Sequence, residues 1–499
     1  MVIKMIKRMH VAVLILGAVV FALASINGNV WFDECYSIAA VSGSIAEMPS
    51  VLTDDVHPFL YYFMLKLAHV LTGGSLVAMR LFSALGMWLL GFAGYTHVRR
   101  YVSEKAGLLF SFFCYVLPAS VKYAGEIRMY SFGALFVFFS AFYAFICIRE
   151  GMASRKHCVY FVISSVAAAY MHYYGLVTVC VINAFFLVGA IITKTKARRV
   201  IACAASELLM YVPGAVVFLI QSTRVAAGDY WIRVKYPDVL VQTVSYAYVG
   251  GDSPWDCYMS TPLFTAVTAV SCVLFVLAVA VIIYSLYKRE ESALFGALAL
   301  GVFLGVVGAG LAVSVFKEFY YVRYTMLPYG LLILVYAYAA SRIDRKLITS
   351  ALCVFLVAVS AVVNVPFFAA MHNGDFGNVS ETLNAEFADS DVFVFGALTP
   401  GSVVSYMLDG ERQYFVNEDI EEYPRAYTAF NAFETVPDFE SLPDDIHGRI
   451  WLLVQDYNEE ELTELLEARY TDAERVDELY LSVLYRHNDF KFVIYNTEG

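Results

Sequence analysis

Two pairs of adjacent acids lie just beyond the first hydrophobic segment. Asp33 and Glu34 form the first pair, and Asp54 and Asp55 form the second. The second pair is followed by His57, Pro58, Tyr61 and Tyr62. Charges close to hydrocarbon are costly and usually mark a functional site. The alternative is a solvated loop, in which carboxylates cost little.

Further ionisable and aromatic residues stand at the ends of later apolar segments. Three stretches carry them: Lys122–Tyr130, with Tyr123, Glu126 and Arg128; His172-Tyr173; and Lys317–Tyr324, with Arg323. An aromatic belt at the membrane interface accounts for many of the tyrosines. It does not explain why His, Arg or Glu accompanies Tyr at three separate helix ends.

These residue types suit a reaction on a lipid-linked phosphosugar at a membrane surface. Arginine and lysine can hold a lipid phosphate leaving group through charge-assisted hydrogen bonds. A carboxylate can remove the proton from an acceptor hydroxyl. A donor anchored by its lipid needs no nucleotide-binding fold.

The composition is that of an integral membrane protein. The 499 residues are 60% hydrophobic, only 16% are charged, and the mean hydropathy is +0.63. The net charge of -11 is unevenly distributed, because residues 371–499 hold 28 acidic and 7 basic residues. No basic tract suggests nucleic acid as a partner.

Apolar segments predict eleven membrane-spanning helices. They fall at about 10–27, 76–98, 106–121, 130–148, 157–171, 174–193, 200–221, 262–287, 292–316, 321–341 and 347–368. The first is read as an uncleaved helix rather than a signal peptide. The break at His172 to Gly175 is the least distinct boundary, and a short interfacial helix is expected around His57 to Leu71.

The sequence predicts two domains, a membrane domain over residues 1–369 and a soluble one over 370–499. In the second, strands are expected at 392–395, 414–416, 450–454 and 490–495, and helices at 379–388, 401–408 and 459–468. This alternation indicates a small α/β domain. It contains no phosphate-binding glycine pattern and no catalytic cluster.

Two other features have structural interpretations. Most of the nine cysteines lie in apolar segments, no metal-binding spacing occurs, and only Cys35 and Cys257 are candidates for a disulfide. Glu207 lies inside a predicted span, where an acid is a functional candidate by default. It lies towards the other side of the membrane from the acidic loop, which favours a structural hydrogen bond.

Six motifs in order resemble the GT-C class of membrane glycosyltransferases. The branch is that of dolichyl-phosphate-mannose protein mannosyltransferases, glycosyltransferase family 39, and their bacterial relatives. The matching residues are Asp33-Glu34; Asp55, His57, Pro58, Leu60, Tyr61 and Tyr62; Arg80 and Ser83; Tyr123, Glu126, Arg128, Met129, Tyr130 and Ser131; His172-Tyr173; and Arg323, Tyr324 and Pro328. Phe59 stands where the family usually has a second proline. The resemblance covers the membrane part, about three quarters of the chain.

The resemblance implies a GT-C fold and a role for each matched residue. Asp33 would be the catalytic base and Glu34 its helper or a metal contact. Lys122, Arg128, Arg323 and Tyr324 would bind the donor phosphate, and Asp55, His57, Tyr61, Glu126, Tyr130, His172 and Tyr173 would surround the site. No cofactor is required, although a divalent cation between Asp33 and Glu126 is left open.

The implied function is an inverting transfer of a sugar from a polyprenyl-phosphate donor to an extracytoplasmic glycan, lipid or protein. The rival is a transporter or flippase of lipid-linked sugars, which would require polar groups near the bilayer midplane and on both faces. A third alternative is a receptor with an outer binding domain. It explains the C-terminal part but not the acidic first loop.

Basic residues predict the orientation in a plasma membrane. Of the 27 Lys and Arg residues before Met371, 18 fall in loops on one side, so this side and the N-terminus are expected to be cytoplasmic. With eleven spans, the C-terminal domain is extracytoplasmic. A periplasmic-type reporter fused after Gly499 should therefore be active, and a reporter active only in the cytoplasm would contradict the topology.

Overall fold

The computed structural model describes residues 2–53, 57–227, 232–408, 412–416, 433–444 and 446–497. The chain forms two compact units. The membrane unit comprises residues 1–26, 57–225 and 229–368, and the soluble unit comprises 27–56, 226–228 and 369–499. The first loop, with Asp33 and Glu34, therefore groups with the C-terminal residues.

The described helices are numbered in chain order. They are α1 (Val2–Ser25), α2 (Phe32–Ser42), α3 (Met48–Thr53), α4 (Leu60–Thr72), α5 (Leu76–Ala93), α6 (Arg99–Tyr101), α7 (Glu104–Val116), α8 (Pro118–Ala124), α9 (Tyr130–Arg149), α10 (Arg155–Met171), α11 (Tyr173–Ile192), α12 (Ala197–Ala227), α13 (Asp238–Val249), α14 (Thr261–Tyr287), α15 (Ala293–Ser314), α16 (Tyr329–Ser341), α17 (Lys346–Met371), α18 (Asp375–Glu386), α19 (Leu398–Met407) and α20 (Glu459–Arg469). A π-helical turn, Gly94–Val98, joins α5 to α6, and a 3-10 turn, Val322–Met326, precedes α16.

The chain is a multi-pass membrane protein. Eight helices in the described residues are long and apolar enough to cross a membrane, and α7 with α8 would make a ninth span with a 61° bend. All eleven predicted spans coincide with helices, but two of them, besides the bent pair, contain no helix of 18 residues or more and are not among these eight. The segment at 157–171 is the 17-residue α10, and the segment at 321–341 is divided into the 3-10 turn and the 13-residue α16.

Pro118 determines the bend between α7 and α8. A residue before proline is driven out of the helical region, and Leu117 accordingly has φ −64° and ψ 136°. Pro118 then begins α8 at a position where its missing N–H costs nothing. The bend brings the stretch Lys122–Tyr130 to the end of α1, where a side chain on Gly125 would lie 2.7 Å from the Ala24 carbonyl oxygen.

A second proline, Pro213, lies inside α12 and removes one backbone hydrogen-bond donor. The Tyr170 hydroxyl of α10 lies at the following turn. Gly214 N donates to this hydroxyl at 3.0 Å, and the hydroxyl donates to the Met210 carbonyl at 3.0 Å. Tyr170 thus replaces a helical hydrogen bond that α12 lacks, and fixes the helix that carries Gln221.

The soluble unit contains a mixed sheet, in the order β3-β2-β1-β4-β6-β5 among the described residues. Its strands are β1 (Val392–Phe395), β2 (Gln413–Val416), β3 (Phe433–Val436), β4 (Arg449–Val454), β5 (Glu474–Val483) and β6 (Asn488–Asn496). Strands β3, β2, β1 and β4 pair in parallel, whereas β6 pairs antiparallel with both of its neighbours, β4 and β5. The small α/β domain expected from the sequence is confirmed, with β3 and β5 as strands that were not predicted.

Candidate functional site

The membrane unit gathers most of the predicted site residues at helix interruptions. His57 precedes α4, Arg128 lies between α8 and α9, and His172 separates α10 from α11. Arg323 and Tyr324 lie in the 3-10 turn before α16. A charged side chain in the middle of a span would be costly in lipid, and the position of these residues at helix ends avoids that cost.

Arg128 is the buried cation of this cluster. Only 4% of its surface is exposed, and its Nη2 lies 3.3 Å from His57 Nε2 while its Nη1 lies 3.4 Å from the Tyr62 hydroxyl. Because a guanidinium can only donate, His57 Nε2 is the acceptor in this contact. The backbone N–H of Arg128 donates to the Glu126 carbonyl oxygen at 2.8 Å, which fixes the turn.

His172 is the centre of an aromatic group. Its ring centroid lies 4.9 Å from that of Tyr324, 5.4 Å from that of His57 and 5.9 Å from that of Tyr130. Its Nδ1 accepts the Tyr174 N–H at 2.9 Å and so caps α11. Burial, followed by the neighbouring His57 and Arg128, lowers the pKa of His172 well below 6.5. The imidazole is therefore neutral at pH 7.

Arg323 lies among tyrosines. Its Cζ is 5.3 Å from the Tyr321 ring centroid. Burial raises the pKa of Tyr321 and of Tyr246, and Arg323 acts in the opposite direction on both, so its charge lies near both hydroxyls. Tyr246, from α13, is hydrogen-bonded to the Tyr123 hydroxyl, from α8.

Two acids that sequence reasoning missed occupy the loop after α13. Asp256 contacts the Lys122 ammonium at 2.9 and 3.0 Å, and Asp252 accepts from the Tyr321 hydroxyl at 3.0 Å. Gly250 ends α13 in the left-handed conformation, with φ 71°, and so allows the turn that brings them there. Lys122 is 6% exposed, and Asp256 is its carboxylate partner.

Gln221 is a further missed residue, and it connects two predicted ones. It is 2% exposed, its Nε2 donates to the His57 carbonyl oxygen at 3.3 Å, and its Oε1 accepts from the Tyr173 hydroxyl. Tyr61 is fully buried and bonds Ser83 at 2.7 Å through its hydroxyl. No motif signalled Gln221, because a single glutamine late in an apolar helix has no characteristic spacing.

The acidic pair of the first loop belongs to the soluble unit. Asp33 and Glu34 lie in the first turn of α2, with Asp33 half-buried and Glu34 fully buried. Negative charge in this position is favoured by the helix dipole. Asp55 lies outside the described residues.

The remaining sequence predictions concern metal, thiols and Glu207. Among the described residues, no three His, Cys, Asp or Glu side chains converge in a way that could hold a metal ion. All nine cysteines, which lie within the described ranges, have free thiols, so Cys35 and Cys257 do not pair here. Glu207 accepts from Asn183 Nδ2 at 2.8 Å, which confirms the structural hydrogen bond expected for it.

The membrane cluster combines arginine side chains with imidazole and phenol groups. Arg128 lies beside His57 and Tyr62, and Arg323 lies over the Tyr321 ring. This is an environment suited to an anion with several acceptor oxygens, such as a phosphate.

Two solved structures share this fold over almost the whole chain. ArnT from Cupriavidus metallidurans in the apo state has a TM-score of 0.62 at 12% identity, with 98% of each chain covered. The same protein bound to undecaprenyl phosphate has a TM-score of 0.59 at 12% identity, with 99% of each chain covered. No protein-family description and no curated protein sequence matches this chain. The likeness establishes the GT-C fold that the sequence motifs implied.

The neutral state of His172 predicts a pH dependence of stability. Since its pKa is lowered on folding, the unfolded chain binds a proton near pH 6.5 that the folded chain does not bind. Stability should therefore fall as the pH drops below 6.5, by about 1.4 kcal/mol per pH unit for this one group, until the folded pKa is reached.

The matched variant is His172→Asn, because asparagine can retain the cap on Tyr174 without titrating. Chemical unfolding in detergent between pH 7 and pH 5 should show a shallower loss of stability for this variant than for the unaltered protein. The exposed His372→Asn serves as the control. Equal slopes for His172→Asn and the unaltered protein would contradict the assignment.

Proposed function

We propose that this protein is a membrane glycosyltransferase that transfers a sugar from a polyprenyl-phosphate donor to an extracytoplasmic acceptor. The observation that carries the proposal is the buried Arg128, held beside His57 and Tyr62 at one end of the membrane helices. The fold likeness to ArnT supports it, since one of the two ArnT structures has undecaprenyl phosphate bound. The acceptor is a glycan, lipid or protein of the cell envelope.

Arg128 and Arg323 bind the donor phosphate in this proposal, with Tyr324 beside them. The charge on the phosphate grows as the bond to the sugar breaks, and guanidinium groups in a largely desolvated setting stabilise that growing charge. Lys122 has a supporting role at most, because its ammonium already contacts Asp256 at 2.9 Å.

Asp33 is the proposed general base. Its carboxylate takes the proton of the acceptor hydroxyl while the acceptor oxygen attacks the anomeric carbon. The bond from that carbon to the phosphate oxygen breaks, and its electron pair leaves with the polyprenyl phosphate. A single displacement from the opposite face inverts the configuration. Glu34, buried one residue later, assists Asp33 in this scheme.

The soluble unit is proposed to lie on the extracytoplasmic side and to shape acceptor access without supplying the leaving-group contacts. Its excess of acidic residues, 28 against 7 basic ones from residue 371 onward, favours solubility and disfavours attachment to anionic lipid.

Replacing Asp33 by Asn tests the base. Asparagine keeps the size of the side chain and removes its basicity, and base catalysis typically contributes about 10²–10⁴-fold. We expect the transfer rate of purified Asp33→Asn to fall by about that factor while its affinity for the donor is kept, and Glu34→Gln to lose less. A near-normal rate, or a product with the anomeric configuration of the donor, would refute the scheme. Movement of intact donor across a vesicle membrane without release of polyprenyl phosphate would indicate a flippase.

Replacing Arg128 or Arg323 by Ala tests the phosphate site. Each variant should raise KM for the lipid donor and lower kcat, because the contact to the leaving group strengthens in the transition state. Removing a donor of this kind typically costs about 10²–10³-fold in rate. Arg233→Ala, on an exposed ion pair with Glu318 at 3.3 Å, is the matched control. Unchanged kinetics in both variants would remove these residues from the site.

A further inference from the structure

The helix that carries Asp33 is attached to the C-terminal residues of the chain. Within the soluble unit, α2 packs against α19, the helix that follows β1. All eight residues of α2 from Glu34 to Val41 are buried, and they follow directly after Asp33. A first loop held only by its own residues would be free to move, whereas this one is part of a folded unit with its own core.

The start of α2 has a specific contact with the turn between β5 and β6. Arg486 lies over the Trp31 ring, with its Cζ 4.3 Å from the ring centroid. Trp31 is the N-cap residue of α2, directly before its first residue. Its carbonyl oxygen accepts from Glu34 N at 2.9 Å and from Cys35 N at 3.0 Å. The guanidinium therefore rests on the residue that sets the first turn, two positions before Asp33.

The backbone at this turn is unusual. Arg486 has φ 60° and the following His487 has φ 51°, both in the left-handed region that side chains other than glycine rarely adopt. Conformations of this kind persist only where the surroundings determine them, and they often occur at functional sites. The turn aims the Arg486 side chain at Trp31, beside the buried Tyr485.

A second attachment lies just upstream. Asn29 is 4% exposed, and its Nδ2 donates to the Met371 carbonyl oxygen at 2.5 Å. The chain is therefore held on both sides of Val30, by the end of α17 and by the β5–β6 turn. These two attachments fix the direction in which α2 leaves.

We infer that Trp31 and Arg486 are positioning residues for the proposed base, so that the C-terminal residues orient Asp33 through the start of α2. The inference rests on the proposed function. A displacement of about 1 Å at a reacting group can cost about 100-fold in rate. A cation–π contact is a suitable restraint here, because it fixes the tryptophan ring at the start of α2.

The direct test compares Trp31→Leu and Arg486→Gln with the unaltered full-length protein in nanodiscs. We expect kcat to fall by about 3- to 30-fold, which is the free energy of a cation–π contact expressed as a ratio of rates. Binding of undecaprenyl phosphate, used as the probe, should change by less than about twofold, since Arg128 and Arg323 lie in the other unit. Trp31→Phe and Arg486→Lys should retain part of the rate, because they keep an aromatic ring and a cation.

Arg475→Gln is the matched control, because this β5 arginine is paired with Glu478 and Glu459 of the same domain. Its kcat should equal that of the unaltered protein. A loss of kcat in Arg475→Gln as large as that in Arg486→Gln would overturn the inference, since any change in the domain would then have the same effect.

Combination with Asp33→Asn separates positioning from folding. If Arg486 acts only through Asp33, then adding Arg486→Gln to Asp33→Asn causes no further loss of rate. A multiplicative loss in the double variant would show that Arg486 acts by another route, and would overturn the inference.

Hydrogen–deuterium exchange decides the contact without any transfer assay. Arg486→Gln should speed exchange of the amides of α2, residues 32–42, by about 3- to 30-fold while β1 and β4 stay protected. Unchanged exchange in α2 would refute the inference even if the protein transfers sugar. Faster exchange in a protein that transfers no sugar would refute the proposed function and leave the contact between Trp31 and Arg486 established.

Discussion

The burial of positive charge at one end of the membrane unit is the constraint on which the rest of this structure depends. Arg128 is 4% exposed and Lys122 is 6% exposed, and an uncompensated charge in such a setting costs several kcal/mol. Lys122 is stabilised by Asp256, 134 residues later in the chain. Arg128 lies beside the His57 imidazole and the Tyr62 phenol. Both buried cations, six residues apart in the chain, are therefore held by side chains that are distant in the sequence.

Because charged groups are costly in the middle of a span, the site residues lie where helices are interrupted. Backbone groups at an interruption lose their helical partners, and in a membrane they must find others within the protein. His172 accepts the Tyr174 N–H where α10 gives way to α11, and the Tyr170 hydroxyl bridges the opened turn at Pro213. At these two places, side chains thus provide the hydrogen bonds that the interrupted backbone needs.

How much of this could be predicted depends on the range of the interaction. Hydropathy located the spanning segments, because length and apolarity are local properties of a sequence. The motifs around Arg128 and His172 were visible because their residues are adjacent in the chain. The partnership of Lys122 with Asp256 was not, since nothing near either residue specifies the other. The strand β5 was not predicted for a different reason: four of its ten residues are charged and one is a serine, as expected for an exposed edge strand that resists further pairing.

The helix α2 shows where local reasoning ends. Its sequence begins with Trp31 and Phe32 instead of a capping Ser, Thr, Asp or Asn, and no side chain caps its first turn. Within residues 27–42, only the acidic residues Asp33 and Glu34 of the first turn favour a helix start at this position. The start is specified by the partner surfaces, α19 beneath the helix and Arg486 over Trp31, which lie more than 350 residues later in the chain. The geometry of Asp33, the proposed base, is therefore set by residues that are distant in the sequence. The proposed base and the arginines proposed to bind the donor phosphate belong to different compact units of the chain. In the proposed reaction, changes in the C-terminal residues would alter the rate through Asp33 and leave the contacts of Arg128 and Arg323 with the phosphate unchanged.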